Sequence, residues 1–291
     1  MTGLTFRDRA VAATARYALR PMMTLPLPWQ MHRAGLDLLT LRPLARPGVT
    51  ETSGTRAGVP VLTISPEAPT GTLLWLHGGG FVMGSPESYR VLADALARTA
   101  GLRVVLPDYR KAPEHAFPAG LDDCLAVTRT VAAEGPYHLG GDSAGGNLAL
   151  AVCAEMLEAG SGPARMALVS PVGDLDPGRA LPRDSDEMLL STSTLRRMAE
   201  DYLGGADPAD PRASPVRAAF PDPPPTLIQA VDGEILEGDA DAIARRLRAF
   251  GGRVAVEKVP GMPHDYQLFV GLAPAADAAV ARMAAFLRGD A

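Results

Sequence analysis

The stretch YHLGGDSAGGN, residues 137–147, decides how this chain of 291 residues is interpreted. Its first four residues are typical of a buried β-strand, and the apolar run that starts at Asn147 is typical of a helix. Between them, residues 141–145 match G-x-S-x-G, which holds Ser143 on a sharp turn at the edge of a sheet. The glycines alone could form a tight turn with Ser143 as a helix cap. The strand before and the helix after favour a nucleophilic serine instead.

A second motif, HGGGF at residues 77–81, follows directly on the apolar run LLWL. Ester hydrolysis passes through a tetrahedral oxyanion, which backbone N–H groups stabilise where no side chain intervenes. We therefore expect N–H donors from Gly79, Gly80 and, beside the serine, Ala144. A loop for a nucleotide phosphate is the alternative, but neither a Lys-Ser/Thr pair nor G-x-G-x-x-G is present here.

The general base of this chemistry is a histidine. The chain has five histidines: His32, His77, His115, His138 and His264. In hydrolases with this serine motif, the partners follow in the order serine, acid, histidine. Only His264, in a loop after the last predicted strand, can follow both the serine and an acid, so we expect it to be the base.

The acid should lie just beyond the predicted strand TLIQAV, at the same edge of the sheet. Asp232, Glu234 and Glu237 are the candidates. We favour Glu234, which precedes His264 by 30 residues, enough for one helix and one strand. Asp232 fits the same geometry with two more residues and stays open. The unused carboxylate would then belong to a turn or a helix start, where acidic side chains are favoured.

Short apolar runs alternate along the chain with longer Ala- and Leu-rich amphipathic stretches. This alternation predicts an α/β fold with a mostly parallel central sheet and helices on both faces. The predicted strands are Val59–Ile64, Leu73–His77, Leu102–Pro107, Tyr137–Gly140, Met166–Ser170, Thr226–Val231 and Val254–Val259. The predicted helices are Tyr89–Ala100, Asp122–Ala133, Asn147–Ala159, Ser193–Leu203, Ala240–Phe250 and Ala275–Arg288.

Two segments interrupt this alternation and predict a cap. Residues 1–45 have a helical pattern, and residues 174–222 form an insertion too long for a simple loop. Three prolines interrupt the first pattern: Pro21, Pro26 and Pro28. We therefore expect one catalytic domain, residues 46–173 and 223–291, covered by N-terminal cap helices and a cap insertion that together form one structural unit with it.

Composition excludes several classes of protein. Hydrophobic residues make up 47% of the chain and the mean hydropathy is +0.05, which indicates a globular protein rather than a disordered one. No apolar run reaches the length of a transmembrane segment. The net charge is −5 and no basic block is present, which argues against nucleic acid or an anionic membrane as the main partner.

The two cysteines, Cys124 and Cys153, are too few and too far apart for a disulfide framework or a zinc site. The N-terminus lacks the apolar region of a secretory signal. We therefore expect a cytoplasmic protein without metal or cofactor. A homodimer is compatible with the sequence, which does not decide the oligomeric state.

Together these motifs resemble the hormone-sensitive-lipase-like family of α/β-hydrolases, in its bacterial carboxylesterase branch, over residues 60–288. The matching segments are HGGGF at 77–81, DYRKAPEH at 108–115, FPA at 117–119, GDSAGGN at 141–147, YLGG at 202–205 and ASP at 213–215. The resemblance implies an α/β-hydrolase fold with a helical cap and cofactor-free hydrolysis of short- to medium-chain carboxylic esters. It assigns the nucleophile to Ser143, the base to His264 and the oxyanion donors to residues 79, 80 and 144.

The chain departs from the family pattern at the acid. Many relatives have Asp-Pro-Leu where this chain has DGEIL at residues 232–236. Alignment without gaps back from His264 favours Glu234, whereas the residue type favours Asp232. The resemblance also leaves alternatives: a lactonase, an amidase or a natural-product deacetylase would use the same triad. A non-catalytic receptor, like the plant gibberellin receptors that have lost this histidine, is disfavoured by the presence of His264.

Overall fold

The computed structural model describes residues 3–39, 47–182 and 187–290. Its strands are β1 (Val49–Arg56), β2 (Val59–Pro66), β3 (Thr72–Leu76), β4 (Arg103–Pro107), β5 (Tyr137–Asp142), β6 (Arg165–Val169), β7 (Thr226–Asp232) and β8 (Val254–Pro260). Its α-helices are α1 (Phe6–Thr14), α2 (Arg20–Thr24), α3 (Trp29–Leu39), α4 (Arg90–Ala100), α5 (Ala119–Ala133), α6 (Ser143–Glu158), α7 (Thr192–Leu203), α8 (Glu237–Ala249) and α9 (Pro274–Arg288). A π-helical turn, Ala15–Leu19, joins α1 to α2.

The strands form one sheet in the order β1-β2-β4-β3-β5-β6-β7-β8. Strands β3 to β8 pair in parallel, and β1 and β2 are antiparallel to their neighbours. The central strands are continuously apolar because helices cover both of their faces. Helices α5, α6 and α8 contribute to the core on one face, and α4 and α9 contribute to the core on the other. The predicted α/β-hydrolase architecture is therefore confirmed.

Strand β1 is absent from the sequence-based prediction. Its sequence, VTETSGTR, is mostly polar, and its six central residues are solvent-exposed. An edge strand with both sides in water lacks the apolar alternation from which strands are predicted. All eight residues of β1 instead pair with β2 in an antiparallel arrangement. This pairing holds the strand in place, and it is visible only in the folded chain.

The N-terminal segment differs from the prediction at Pro21. The helical path continues from Phe6 to Thr24, and Pro21 lies in the first turn of α2 directly after the π-helical turn. A proline ring clashes with the carbonyl four residues earlier in a regular helix, and a wider π-turn is a known way to relieve such a conflict. The helical path breaks instead between α2 and α3, where Pro26 and Pro28 lie.

Helix α7, from the predicted cap insertion, packs against the N-terminal helices. The indole N–H of Trp29 donates to the Asp201 carboxylate at 2.6 Å, and the Arg197 guanidinium lies 4.1 Å from the centre of the Trp29 ring. The Tyr202 ring stacks on Phe81, beside the glycine motif, at 3.8 Å between ring centres. These contacts hold both segments over the carboxyl ends of the parallel strands. Residues 1, 2, 40–45 and 183–186 of the two predicted cap segments lie outside the described residues.

Within the described ranges, no helix combines the length and apolar character needed to span a bilayer.

Candidate active site

The connection between β5 and α6 contains no intervening residue. Strand β5 ends at Asp142 and α6 begins at Ser143, whose φ of +50° lies in the left-handed region. A non-glycine residue rarely adopts this conformation, and such strain is characteristic of functional sites. A Cβ atom at Gly145 would overlap the carbonyl oxygen of Leu76 at the end of β3. The turn thus forms only because small residues let α6 approach the neighbouring strand.

The predicted helix started at Asn147, one turn later than the helix in the structure. The two glycines in the first turn of α6, Gly145 and Gly146, have low helix propensity and hide the start of the helix in the sequence.

The carboxylate of Asp142 ties the glycine motif to the serine turn. It accepts hydrogen bonds from the backbone N–H of Gly78 at 3.2 Å, from the Trp75 indole N–H at 3.0 Å and from the Tyr89 hydroxyl. Burial raises the pKa of this carboxyl well above its usual value, and the nearby Asp265 carboxylate raises it further. The residue before the serine therefore fixes where the glycine loop lies. The G-x-S-x-G motif assigns Asp142 no role, because its position is the variable one before the serine.

His77 anchors the same loop from the other side. Its ring stacks on Tyr109 at 4.2 Å, and its Nδ1 lies 2.8 Å from the carbonyl oxygen of Gly78. The Tyr109 hydroxyl donates to the His77 carbonyl at 2.8 Å. Burial, with the nearby Lys111 charge, lowers the pKa of His77 to about 3, so the ring is neutral. This histidine is a structural part of the loop.

The glycine loop leaves two N–H groups without partners. Gly79 and Gly80 have φ of +107° and +61°, and among the described residues their backbone N–H groups donate no hydrogen bond. A Cβ atom at Gly79 would overlap the Met83 carbonyl oxygen, and one at Gly80 would overlap the Met198 sulfur. Ala144 lies in the first turn of α6, where N–H groups lack a partner within the helix. The three predicted oxyanion donors thus belong to backbone that turns close to the serine.

The structure brings Glu234 to His264. The Nδ1 atom of His264 lies 2.7 Å from Oε2 of Glu234, and both side chains are buried. The other carboxylate oxygen accepts from the Ser170 hydroxyl at 2.7 Å and from the backbone N–H of Val231 at 2.8 Å. Because β7 and β8 are parallel neighbours, the loops after them meet at one edge of the sheet. Ser170, which holds this carboxylate, had no sequence motif to identify it.

The other two acid candidates lie elsewhere. Asp232 is solvent-exposed at the end of β7. Glu237 accepts from the backbone N–H of Gly233 at 2.9 Å and pairs with Lys258 at 2.7 Å, at the start of α8. The geometry therefore favours Glu234 as the partner of the histidine.

A further carboxylate, Asp265, lies against the other nitrogen of the imidazole. Its Oδ2 is 3.0 Å from Nε2 of His264, but the two atoms are not aligned for a hydrogen bond. Asp265 is buried and has a φ of +54°. Burial alone would lower the pKa of His264, yet the carboxylates of Asp265 and Glu234 raise it well above its usual value. The two carboxylates beside the imidazole thus favour its charged form.

Ser143 and His264 line the same cavity. Within the described chain, Nε2 of His264 has no aligned hydrogen-bond partner, and the structure shows no bond from it to the Ser143 hydroxyl. Contacts of this kind are often loose before a substrate binds. The Asp265 carboxylate faces the nitrogen that would have to accept the serine proton, and therefore competes with Ser143 for it.

The cavity has a volume of about 720 Å³ and joins the site to the cap. The glycine loop, Ser143 and His264 form its floor, while the N-terminal helices, α7 and residues 268–272 form its walls. Most of the wall side chains are apolar. Among them are Met22, Met23, Leu25, Leu189, Leu190 and Leu195. The arrangement suits an uncharged substrate with an apolar part, held over Ser143, His264 and the N–H groups of the glycine loop.

Comparison with known proteins agrees with this chemistry. The sequence model of a family with the α/β-hydrolase fold matches residues 73–268. The chain is 39% identical over 224 residues to an acetyl-hydrolase of Streptomyces hygroscopicus, covering 75% of each protein. It is 31% identical over 239 residues to an esterase of Acinetobacter venetianus, covering 79% of each. A crystal structure of an esterase from the bacterial hormone-sensitive lipase family matches with a TM-score of 0.89, 30% identity and 99% coverage of both chains.

The contact between Asp265 and the imidazole predicts the effect of Asp265→Asn. Removing this negative charge should lower the pKa of His264 by at least about one pH unit, since a charge this close shifts a pKa by about 1–3. NMR titration of the ring resonances measures it. Asp232→Asn removes an exposed carboxylate near the same edge and should leave the pKa of His264 unchanged. An unchanged value in Asp265→Asn would show that this carboxylate does not control the imidazole.

Proposed function

This chain belongs to the α/β-hydrolase fold family, in the branch of bacterial hormone-sensitive-lipase-like esterases, and from this premise we propose that it is a serine carboxylesterase. It hydrolyses short- to medium-chain carboxylic esters through an acyl-enzyme intermediate. The observation that carries the proposal is the buried contact of 2.7 Å between His264 and Glu234, in a site whose cavity Ser143 and the glycine loop also line. This combination supplies a base, its orienting acid, a nucleophile and oxyanion donors at one place.

In the first half of the reaction, the Ser143 hydroxyl attacks the ester carbonyl and His264 accepts its proton. The Glu234 carboxylate holds the imidazole by its Nδ1 and offsets the positive charge that develops. For this step, Nε2 of the deprotonated ring must face Ser143 instead of Asp265. The proton then passes from His264 to the alcohol, which leaves while the acyl group stays on Ser143.

The N–H groups of Gly79, Gly80 and Ala144 stabilise the tetrahedral oxyanion. Each such donor typically contributes about 2.7–4 kcal/mol to stabilising the transition state. In the second half, water attacks the acyl-enzyme with His264 again as the base, and the acid is released. The donors are backbone groups fixed by the Asp142 and His77 contacts, so they need not reorganise during the reaction.

A natural-product deacetylase is the second candidate. The similarity to an acetyl-hydrolase at 39% identity favours it, because the name of that relative describes the hydrolytic removal of acetyl groups. Amidase and lactonase activity would use the same groups. A purely ligand-binding role is disfavoured because the imidazole of His264 and the carboxylate of Glu234 are in contact with each other.

Replacing the nucleophile tests the central assignment. Ser143→Ala removes the atom that forms the acyl-enzyme and should lower kcat for p-nitrophenyl butyrate at least about a thousand-fold, since triad nucleophiles behave this way. A fluorophosphonate probe should label the wild-type protein at Ser143 and leave the variant unlabelled. Wild-type activity in Ser143→Ala would refute the proposal.

Paired substitutions distinguish the two acids. Glu234→Gln should lower kcat about 10³- to 10⁴-fold because the neutral amide no longer fixes the imidazole or offsets its charge. Asp232→Asn, at an exposed site, should stay close to wild type in kcat and in thermal stability. Steady-state kinetics with p-nitrophenyl butyrate gives both values. The reverse ranking would assign the acid to Asp232.

A series of p-nitrophenyl esters from acetate to palmitate tests the substrate class. We expect kcat/KM to be highest between acetate and octanoate and to fall for palmitate. Each added methylene gains about 0.8 kcal/mol only while it is buried, and the cavity of about 720 Å³ is limited. A maximum at palmitate would contradict the proposed short- to medium-chain preference.

A further inference from the structure

Glu187 is a buried residue of the cap insertion that the proposed mechanism does not use, and it is only 2% exposed. Its Oε1 accepts hydrogen bonds from the backbone N–H groups of the next three residues, Met188, Leu189 and Leu190, at 2.8, 2.8 and 3.3 Å. Its Oε2 accepts from the backbone N–H of Ile235 at 3.1 Å, although Ile235 lies 48 residues further along the chain. All four hydrogen bonds are accepted and none is donated, so the position suits a carboxylate and not an amide.

The bond to Ile235 fixes a peptide unit beside the candidate acid. Glu234 lies between two backbone N–H groups that both donate to carboxylates. The N–H of Gly233 donates to Glu237 at 2.9 Å, at the start of the helix that follows directly. The N–H of Ile235 donates to Glu187, which comes from the cap insertion. The backbone from which the Glu234 side chain reaches the imidazole is therefore held on one side by a local carboxylate and on the other by a distant one.

The same residue also contacts the wall of the cavity and the N-terminal helices. Leu189 and Leu190, whose N–H groups bind its Oε1, line the cavity. The guanidinium of Arg20, in α2, donates to the backbone carbonyl of Glu187 at 2.7 Å. Glu187 itself does not line the cavity. It thus joins three parts of the site without reaching the space for a substrate.

The charge of Glu187 reaches the surroundings of the histidine. Burial raises the pKa of Asp265, and the charge of His264 lowers it. The charges of Glu234 and Glu187 both raise this pKa further. A carboxylate is unfavourable at a buried place near two others unless hydrogen bonds compensate it, and here four backbone N–H groups do so. Buried ionisable groups that influence one another in this way concentrate at functional sites.

We propose that Glu187 is a positioning residue of the esterase, which fixes the loop carrying Glu234 through the backbone N–H of Ile235. It thereby holds the Glu234 carboxylate against Nδ1 of His264. This role rests on the proposed function, in which Glu234 is the acid. Because the other oxygen of Glu187 orders the cavity wall, the same side chain links that wall to the acid.

A double-mutant cycle between Glu187 and Glu234 tests this role. In Glu187→Gln, the single amide oxygen should stay with the three neighbouring N–H groups, which leaves an NH2 group facing the N–H of Ile235. We expect kcat for p-nitrophenyl acetate to fall at least about tenfold, as it does when a catalytic group is slightly misplaced. In the Glu234→Gln background, the same substitution should change kcat by less than about twofold, because the acid through which it acts is already lost. Steady-state kinetics, corrected for uncatalysed hydrolysis, gives the four values.

Two control variants separate this role from other effects. Glu200→Gln makes the same chemical change at an exposed residue of α7 that does not line the cavity, and it should leave kcat unchanged in both backgrounds. Leu189→Ala alters the cavity wall but keeps the bond to Ile235. Its effect on kcat/KM should therefore be the same in the wild-type chain and in Glu234→Gln.

NMR provides a readout that does not depend on turnover. The proton of a short hydrogen bond between an imidazole and a carboxylate is strongly deshielded, so the Nδ1–H of His264 should give a downfield resonance, identified by its loss in Glu234→Gln. Glu187→Gln should shift or broaden this resonance, and Glu200→Gln should not. Thermal unfolding shows whether the variants are folded.

A second variant replaces the amide variant if that one does not fold. Glu187→Asp keeps a side chain that only accepts hydrogen bonds, but it is one methylene shorter. An aspartate at this position should bind the N–H groups of its own neighbours and lose the bond to Ile235. It enters the same cycle with the same expected result.

Two results would overturn the role of Glu187. One is an equal loss of kcat on adding Glu187→Gln to the wild-type chain and to Glu234→Gln, because the effect would then not pass through the acid. The other is an unchanged kcat together with an unchanged resonance. If Glu234→Gln itself keeps the wild-type kcat, the proposed function loses its acid. If Glu234→Gln is impaired and Glu187→Gln is not, only the role of Glu187 fails.

Discussion

The close approach of the serine turn to strand β3 is the constraint on which the site depends. A Cβ atom at Gly145 would overlap the end of β3, so α6 can start immediately after β5 only with glycine at this position. The same approach brings Asp142 within reach of the Gly78 N–H, and this contact fixes the glycine loop beside the serine. One packing requirement therefore sets the position of both Ser143 and the backbone N–H groups of the glycine loop.

Electrostatics around the imidazole distinguish this site from a simple serine–histidine–acid arrangement. Glu234 and Asp265 face the two ring nitrogens of His264, and Asp142 lies close enough to influence Asp265. Burial raises the pKa of Asp265, and the charge of His264 lowers it in turn. The two carboxylates thus favour the charged form of the imidazole.

The cap connects the chemistry to the surroundings of the protein. The N-terminal helices and α7 are held together at Trp29, and both line the cavity above Ser143. Exposed apolar side chains of the N-terminal segment lie where the cavity opens.

The sequence alone determined the fold class, the nucleophile candidate and the glycine loop, because these signals lie in continuous motifs of five to eleven residues with their own turn chemistry. It identified His264 by chain order and favoured Glu234 without excluding Asp232, because a shift of two residues in a loop changes the direction in which a carboxylate points. Only the tertiary structure decided which of them contacts the histidine. The roles of Ser170 and Asp265 and the exposed β1 strand also required it, because each results from contacts that residues distant in sequence form only after folding.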